Sequence, residues 1–418
     1  MLRVSGPDAG ACLSAIAGGL PQPRRASFRA FRDPQGGALI DRGLALWFPG
    51  PGSATGEDLA ELHVHGGRAV TAAMLAAVLA TPGVRLAEPG EFTRRAFIAG
   101  RMDLAEAEGL ADLLDAETEA QRRQALLHSE GALSAVVDRW RDRLVGAMAL
   151  VEAGIDFSDE DGVPEEVRAQ ARAEIESLAA DIGASLADRR AERLRAGFQV
   201  ALVGRPNAGK SSLLNALARR EIAIVTEAVG TTRDVIEAHL DLDGVPVTIA
   251  DTAGLRAADD LAEQEGVRRA EARAAAADLV LWIDDGGAAE DSPPIKAASL
   301  WRIASKIDVA AEPSPFADYR ISARTGEGLA ELVAALAEAG RGALGSGDEV
   351  GLTRARHRDA AAAVSSILHG ALGDWDALPD ELLAEQLRLA ATEVGRITGR
   401  IGVEDVLGQV FSSFCIGK

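Results

Sequence analysis

One run of residues constrains this chain more than any other: Gly204-Arg205-Pro206-Asn207-Ala208-Gly209-Lys210-Ser211. It follows the apolar stretch Phe198–Val203 and precedes Leu213–Ala218, whose spacing suits a helix. Strand, glycine-rich turn and helix, in that order, make a phosphate cradle. The glycines let backbone N–H groups converge on anionic oxygens, and the helix N-terminus adds partial positive charge. Lys210 is placed to reach the β- and γ-phosphates of a nucleotide, and the Ser211 hydroxyl to ligate Mg²⁺. From Phe198 to about residue 344, strands and helices alternate. Val247–Asp251, Leu279–Asp284 and Ile303–Ser305 read as strands, and Leu213–Ala218, Val267–Ala277 and Leu329–Ala339 as helices. Such alternation predicts a parallel sheet with helices on both faces.

Other motifs stand where a nucleotide switch needs them. Asp251-Thr252-Ala253-Gly254 closes an apolar strand 47 residues after Gly204. It puts a carboxylate near the Mg²⁺ shell and a glycine N–H near the γ-phosphate. Between them lies Gly230-Thr231-Thr232-Arg233-Asp234, where Thr232 is the expected threonine that ligates Mg²⁺ only in the triphosphate state. Ser305-Lys306-Ile307-Asp308 resembles a guanine-selecting motif with Ser in place of the usual Asn. Asp308 can accept hydrogen bonds from guanine N1–H and the N2 amine, which adenine cannot match. Lys306 can lie along the base plane, and Ile321-Ser322-Ala323 resembles the loop that supports guanine O6. GTP is therefore expected over ATP. The position after DxxG, often a water-orienting Gln, is Leu255, and no arginine finger is marked. Asn207 could ligate a monovalent cation beside the phosphates, with carbonyls of the Thr226–Thr231 loop, or could only stabilise its own turn. The residues alone leave both open.

Composition sharpens this. Of 44 basic residues only four are Lys (Lys210, Lys296, Lys306, Lys418), so 40 are Arg. Asn occurs only as Asn207 and Asn215. Where Lys or Asn persists against that bias, its particular chemistry is expected to matter, since a guanidinium fork is not an ammonium point charge. Lys296 reads as a surface residue. Acids exceed bases, 64 against 44, for a net charge of −20. That excludes nucleic-acid binding by blanket phosphate neutralisation, so RNA would need a local patch such as Arg94-Arg95 or Arg122-Arg123, or a partner. Cys12 and Cys415 match no metal-ligand spacing and fit a reducing compartment. No apolar run approaches the roughly 20 residues of a membrane helix. Ala11–Leu20 only vaguely resembles a signal sequence, with Asp8 before it, and a cytoplasmic location is expected.

The chain reads as four segments. Residues 1–100 are α+β, with Leu44–Phe48 a strand and Gly67–Ala80 a helix. Residues 101–197 are helical, a second helix there running from Pro164 to about Arg195. Residues 198–345 are the α/β unit, with Gly340–Gly347 a linker, and residues 346–418 are helical again with a short tail. The α/β unit thus reads as inserted into one helical domain.

Six stretches together give a resemblance covering essentially the whole chain. Gly204–Asn215, Gly230–Asp234, Asp251–Arg256 and the terminal Cys415-Ile416-Gly417-Lys418 are similar to the MnmE (TrmE) family of tRNA uridine-modification GTPases. So are Gly90-Glu91-Phe92-Thr93-Arg94-Arg95-Ala96-Phe97 and Met102-Asp103-Leu104-Ala105-Glu106-Ala107-Glu108. The resemblance implies a folate-binding, dimerising α+β N-terminal domain, a discontinuous helical domain and an inserted Ras-like P-loop GTPase domain. It implies a homodimer acting with an FAD-containing partner protein on tRNA. The product carries a carboxymethylaminomethyl or aminomethyl group at C5 of the wobble uridine, with the one-carbon unit from 5-formyltetrahydrofolate or a related folate.

Residue by residue, the resemblance implies Mg²⁺ on Ser211 and Thr232, and K⁺ on Asn207, Thr226, Ala228 and Thr231. Glu263 would orient the attacking water, beside Lys210 and Thr232. Nucleotide contacts are expected from Asn207 to Ser212 (with Ala208 and Gly209), and from Thr226, Glu227, Ala228, Val229, Gly230, Thr231 and Thr232. Asp251, Thr252, Ala253 and Gly254 join them, as do Ser305, Lys306, Asp308, Ser322 and Ala323. Folate contacts fall on Arg3, Glu61, Arg101 and Lys418, with Arg101 replacing a frequent Lys. His63 and His65 read as structural histidines, and Cys415 has no nucleophilic role. Two departures stand out. The chain begins near the family's second strand, at Leu2–Gly6, which fits either a misassigned start or impaired folate binding and dimerisation. The stretch between Asp284 and Lys306 is short. A rival reading is a ribosome-assembly GTPase of the same cation-dependent class, whose usual KH or second G domain is not found in the sequence. Another is a switch scaffold with negligible turnover, which Leu255 permits.

Overall fold

The computed structural model describes residues 1–156, 163–204, 207–220, 223–227, 236–251, 274–285, 299–309 and 316–401. Its contacts form two compact units, one from the described parts of Met1–Ala111, His128–Leu178 and Ala363–Lys418, the other from those of Asp112–Leu127 and Ala179–Ala362.

The first unit opens with an antiparallel sheet. Strands β1 (Leu2–Ser5), β2 (Ser27–Arg32), β3 (Leu39–Phe48) and β4 (Leu59–His63) lie in the order β1-β4-β3-β2. Alternation gives the sheet two faces. Val4, Phe31, Ala45, Trp47, Ala60 and Leu62 point into a core completed by Leu13 and Ile16 of α1 (Ala9–Ala17) and Met74 and Val78 of α2 (Arg68–Leu79). Arg3, Glu61 and the cross-strand pair Phe28–Leu44 alternate with these onto the opposite face, where Phe28 is 67% and Leu44 40% exposed.

Helices follow: α3 (Glu91–Ile98), α4 (Leu104–Asp115), α5 (Glu119–Ser129), α6 (Ala132–Asp156), α7 (Val163–Ala187) and α8 (Arg190–Ala196). A single helix was expected from Pro164 to Arg195. The structure breaks it after Ala187, where the Asp188 carboxylate accepts the Arg190 N–H at 2.9 Å and restarts the chain as α8. Helix α6 buries Leu133, Val137, Trp140, Leu144, Ala147 and Val151, at alternating steps of four and three.

The second unit is built on a seven-stranded sheet of β5 (Phe198–Gly204), β6 (Ala223–Glu227), β7 (Ile236–Leu242), β8 (Val245–Asp251), β9 (Leu279–Asp284), β10 (Leu300–Ala304) and β11 (Tyr319–Arg320). Their order is β11-β10-β9-β5-β8-β7-β6. Five strands are parallel, as expected, but β7 pairs antiparallel with both β8 and β6, so the sheet is mixed. The cause is local: Asp243-Gly244, at φ 55° and 82°, closes a two-residue hairpin turn between β7 and β8. Both faces of β5 are covered. Val200 and Leu202 meet Leu213 and Leu217 of α9 (Lys210–Arg220) and Leu332 and Leu336 of α10 (Leu329–Leu344), while Ala201 and Val203 face Ala274 and Val280.

Gly340 and Gly342 are not linker residues; they lie inside α10, which ends at Gly345 with φ 79°. A Cβ at Gly340 would stand 2.6 Å from Val245 Cγ1, so the missing side chain lets the helix reach the sheet. The chain closes with α11 (Ala355–Gly373) and α12 (Asp380–Thr398). In the first unit α12 packs on α6, burying Leu383, Leu387, Ala390, Val394 and Ile397 at the same four-three spacing, the pattern of a coiled-coil seam. The helix expected at Val267–Ala277 is described only from Ala274 on; its earlier residues, like the terminal tail, lie outside the described residues.

Candidate functional site: the phosphate loop and the base loop

Strand β5 is flanked by β8 on one side and β9 on the other, so the chain leaves it in opposite directions. A crevice opens at the carboxyl ends of the strands at such a point. Gly204 ends β5 there with φ 156°, its Cα paired with Ile283 of β9. A side chain on it would collide with the Ile283 carbonyl oxygen. Asn207 at φ 63° and Gly209 at φ 103° then turn the backbone into α9, whose first residue is Lys210. Lys210 is 6% exposed, and its ammonium donates to the Gly204 carbonyl at 2.7 Å, spanning the mouth of the loop. Ser211 and Ser212 follow in the first turn of α9. Asp251 ends β8 with its Cα opposite Leu202, so its backbone reaches the same sheet edge.

The base loop is fastened to this cradle. The Ser305 N–H donates to the Asp284 carbonyl at 2.7 Å, and its hydroxyl to the Ala208 carbonyl at 2.5 Å. Lys306, at φ 55°, donates to the Asn207 carbonyl at 2.5 Å and to Asp285 at 3.0 Å. Two side chains of one loop thus hold two consecutive carbonyls of the other. The Ser305 hydroxyl has a single proton, so this link leaves it no second donor. Asp308 accepts the buried Ser322 hydroxyl at 2.6 Å on one oxygen and Arg324 Nε at 2.7 Å on the other. The Ser322 bond first, and then Arg324, hold its carboxyl below the usual range, so it is an ionised acceptor at neutral pH. Ala323 follows directly, in the loop that enters α10.

The structure therefore brings together Asn207, Ala208, Gly209, Lys210, Ser211, Ser212, Ser305, Lys306, Asp308, Ser322 and Ala323. Thr226 and Glu227 close the edge strand β6 and are described by backbone alone. Ala228, Val229, Gly230, Thr231, Thr232, Thr252, Ala253, Gly254, Leu255, Glu263, Lys296, Cys415 and Lys418 lie outside the described residues. Sequence reasoning missed Asp285 as a partner of Lys306, and Arg324. The one available signal for each was position, directly after a strand end and directly after the base-supporting loop.

On the open face of the small sheet, Arg3 Nε meets Glu61 at 2.9 Å, and His63 Nε2 lies 3.3 Å from the other Glu61 oxygen. Arg101 is exposed beyond α3, its stem beside Gly56, and has no hydrogen bond to that pair among the described residues. His65 is held by Asp41 through both its backbone N–H and its ring, at 2.8 and 2.9 Å. The Arg pairs considered for RNA are mostly engaged: Arg95 with Glu57 and Glu91, Arg122 with Glu119, Arg123 with Asp348.

A glycine-rich loop at the end of β5, fastened to a second loop that carries a fixed carboxylate, is the arrangement of a P-loop GTPase, and that is the class this fold defines. Comparison with known proteins narrows it. Residues 1–101 match the family model described as the GTP-binding protein TrmE N-terminus, and residues 104–415 that of the MnmE helical domain. A tRNA modification GTPase MnmE of Rhodopseudomonas palustris is 54% identical, over all of this chain and 95% of its own length. That of Parvibaculum lavamentivorans is also 54% identical, covering 96% of its length. Among solved structures, the G domain of the T. maritima FeoB iron transporter is 26% identical over 34% of this chain and 97% of its own, with a TM-score of 0.28. The chain belongs to the MnmE family of tRNA modification GTPases.

Proposed function

We propose that this GTPase is potassium-dependent and serves C5 modification of the tRNA wobble uridine, as a cytoplasmic homodimer with an FAD-containing partner and a folate one-carbon donor. Residues 1–100 would form the folate and dimerisation domain, 198–345 the G domain, and 101–197 with 346–418 the helical domain. Asn207 carries the potassium reading. Its carbonyl is taken by Lys306, which pins the residue at the cradle's mouth, so its side-chain amide is the group that can turn toward a cation. Ser211, with Thr232, would hold Mg²⁺, whose hard oxygen preference their hydroxyls suit. Asn207 with carbonyls of Thr226, Ala228 and Thr231 would hold K⁺. When bound, both ions neutralise charge developing on the transferred phosphoryl oxygens. Lys210 adds a fixed ammonium there, Asp308 selects guanine, and Glu263 orients the attacking water.

The exposed Phe28–Leu44 pair supports the homodimer, since paired apolar side chains on an open sheet face favour burial. Arg3 and Glu61 offer a cation and a carboxylate to folate on that face, with Arg101 and Lys418 as the remaining contacts. The net charge of −20 and the ion-paired arginines support tRNA being held largely by the partner.

The test is GTP turnover in KCl against NaCl at equal ionic strength, with Asn207→Ala alongside. Strong potassium stimulation, lost in the variant, is expected; equal rates in the two salts would overturn the cation reading. For the pathway, the readout is wobble-uridine modification after gene deletion. Unchanged modification, with the protein co-purifying with a ribosomal subunit, would shift the assignment to ribosome assembly.

A further inference from the structure

Asp308 is already occupied by a side chain that copies the base it is proposed to read. One of its oxygens accepts both Nε and Nη2 of Arg324, at 2.7 and 2.6 Å. The N1–C2–N2 edge of guanine is itself a guanidine unit, with adjacent N–H donors in one plane. Arg324 presents the same unit. The other oxygen is held by Ser322, which is fully buried and cannot withdraw without breaking the loop. The Arg324 side chain, by contrast, is 72% exposed and borders an open groove with Ser212, Asn215 and Arg219, so it has room to leave.

The geometry points to Arg324 as a built-in competitor for the guanine-reading carboxylate: it pairs with Asp308, and guanine must displace it to bind. This rests on the assignment of Asp308 to guanine. The arginine aims the Asp308 carboxylate, and it lowers guanine-nucleotide affinity by the free energy of the exposed pair. On this proposal the guanine N2 amine takes the oxygen that Arg324 holds, because buried Ser322 holds the other. Hypoxanthine lacks that amine and has no need to displace Arg324.

The experiment is equilibrium titration of the full-length chain with GDP, IDP and ADP, in the wild type, Arg324→Ala and Arg324→Lys. Arg324→Ala is expected to bind GDP roughly two- to five-fold more tightly, the range of an exposed ion pair. IDP affinity should be unchanged, so GDP-over-IDP selectivity rises. Arg324→Lys keeps the charge and loses the fork, and should fall between. The GDP gain should shrink in high salt, which screens the pair. Weaker GDP binding by Arg324→Ala would show that Arg324 helps to hold the base and would overturn the proposal. So would equal changes for GDP and IDP, which mark a general charge effect. A wild type that fails to prefer GDP over ADP would instead break the Asp308 assignment itself.

Discussion

At the scale of single residues, the phosphate loop depends on Gly204, whose Cα lies against Ile283 of β9. Gly204 to Ser211 is read from spacing because backbone, glycine and lysine act within one turn. Gly204→Ala would drive a Cβ into the Ile283 carbonyl and force β5 off β9. Nucleotide binding should fall below detection in a titration while the first unit keeps its fold; near-normal affinity would show that the loop tolerates the shift. Glu91 was read only as part of a family stretch. In the fold it accepts two bonds from Arg85 and others from Arg95 and the Glu88 N–H. Burial alone would raise its pKa, yet these bonds hold it at about 2 against an ordinary 4.5. The contribution to stability is therefore complete above pH 4.5 and is lost as pH falls toward 2. Glu91→Gln should cost about 1–3 kcal/mol at neutral pH and flatten that acid limb in urea unfolding. An acid limb unchanged in the variant would place the titrating group elsewhere.

At the scale of elements, the second family stretch begins a helix, as its helical pattern predicts. Asp103 and Glu106 exchange bonds with each other's N–H, at 2.9 and 2.7 Å, closing a capping box on α4. Asp103→Ala should destabilise the chain by about 1 kcal/mol with no change in GTP turnover in the isolated protein. A turnover defect at equal stability would give the aspartate a second task. The elements where sequence and structure part have different causes, one tertiary and two local. Gly340 looked like a linker because glycine usually breaks helices, but here it buys close approach to Val245. The β7–β8 hairpin is signalled locally by Asp243-Gly244, although the strand–helix alternation around it predicts crossovers. The break at Asp188 needed a side-chain bond that spacing alone does not reveal.

At the scale of the whole molecule, two cores are stabilised by different means. One is a nucleotide-binding sheet whose cradle and base loop are fastened together by Ser305 and Lys306. The other includes the α6–α12 seam, where Leu387 is fully buried. A ligand that binds only the native state adds stability in proportion to the logarithm of its excess over Kd. At a hundred-fold excess, GDP should add about 2.7 kcal/mol. Leu387→Ala removes buried volume from the seam and should cost about 2–5 kcal/mol. If each core melts as its own cooperative unit, scanning calorimetry should resolve two transitions. GDP should raise one of them and leave the other in place, and Leu387→Ala should lower the second without moving the GDP-sensitive one. The variant should then titrate GDP with wild-type affinity. If GDP and Leu387→Ala instead shift one shared transition, the two cores unfold together. In that case nucleotide occupancy would reach the helical seam as a stability change, and the additivity of the two effects would measure how strongly they are coupled.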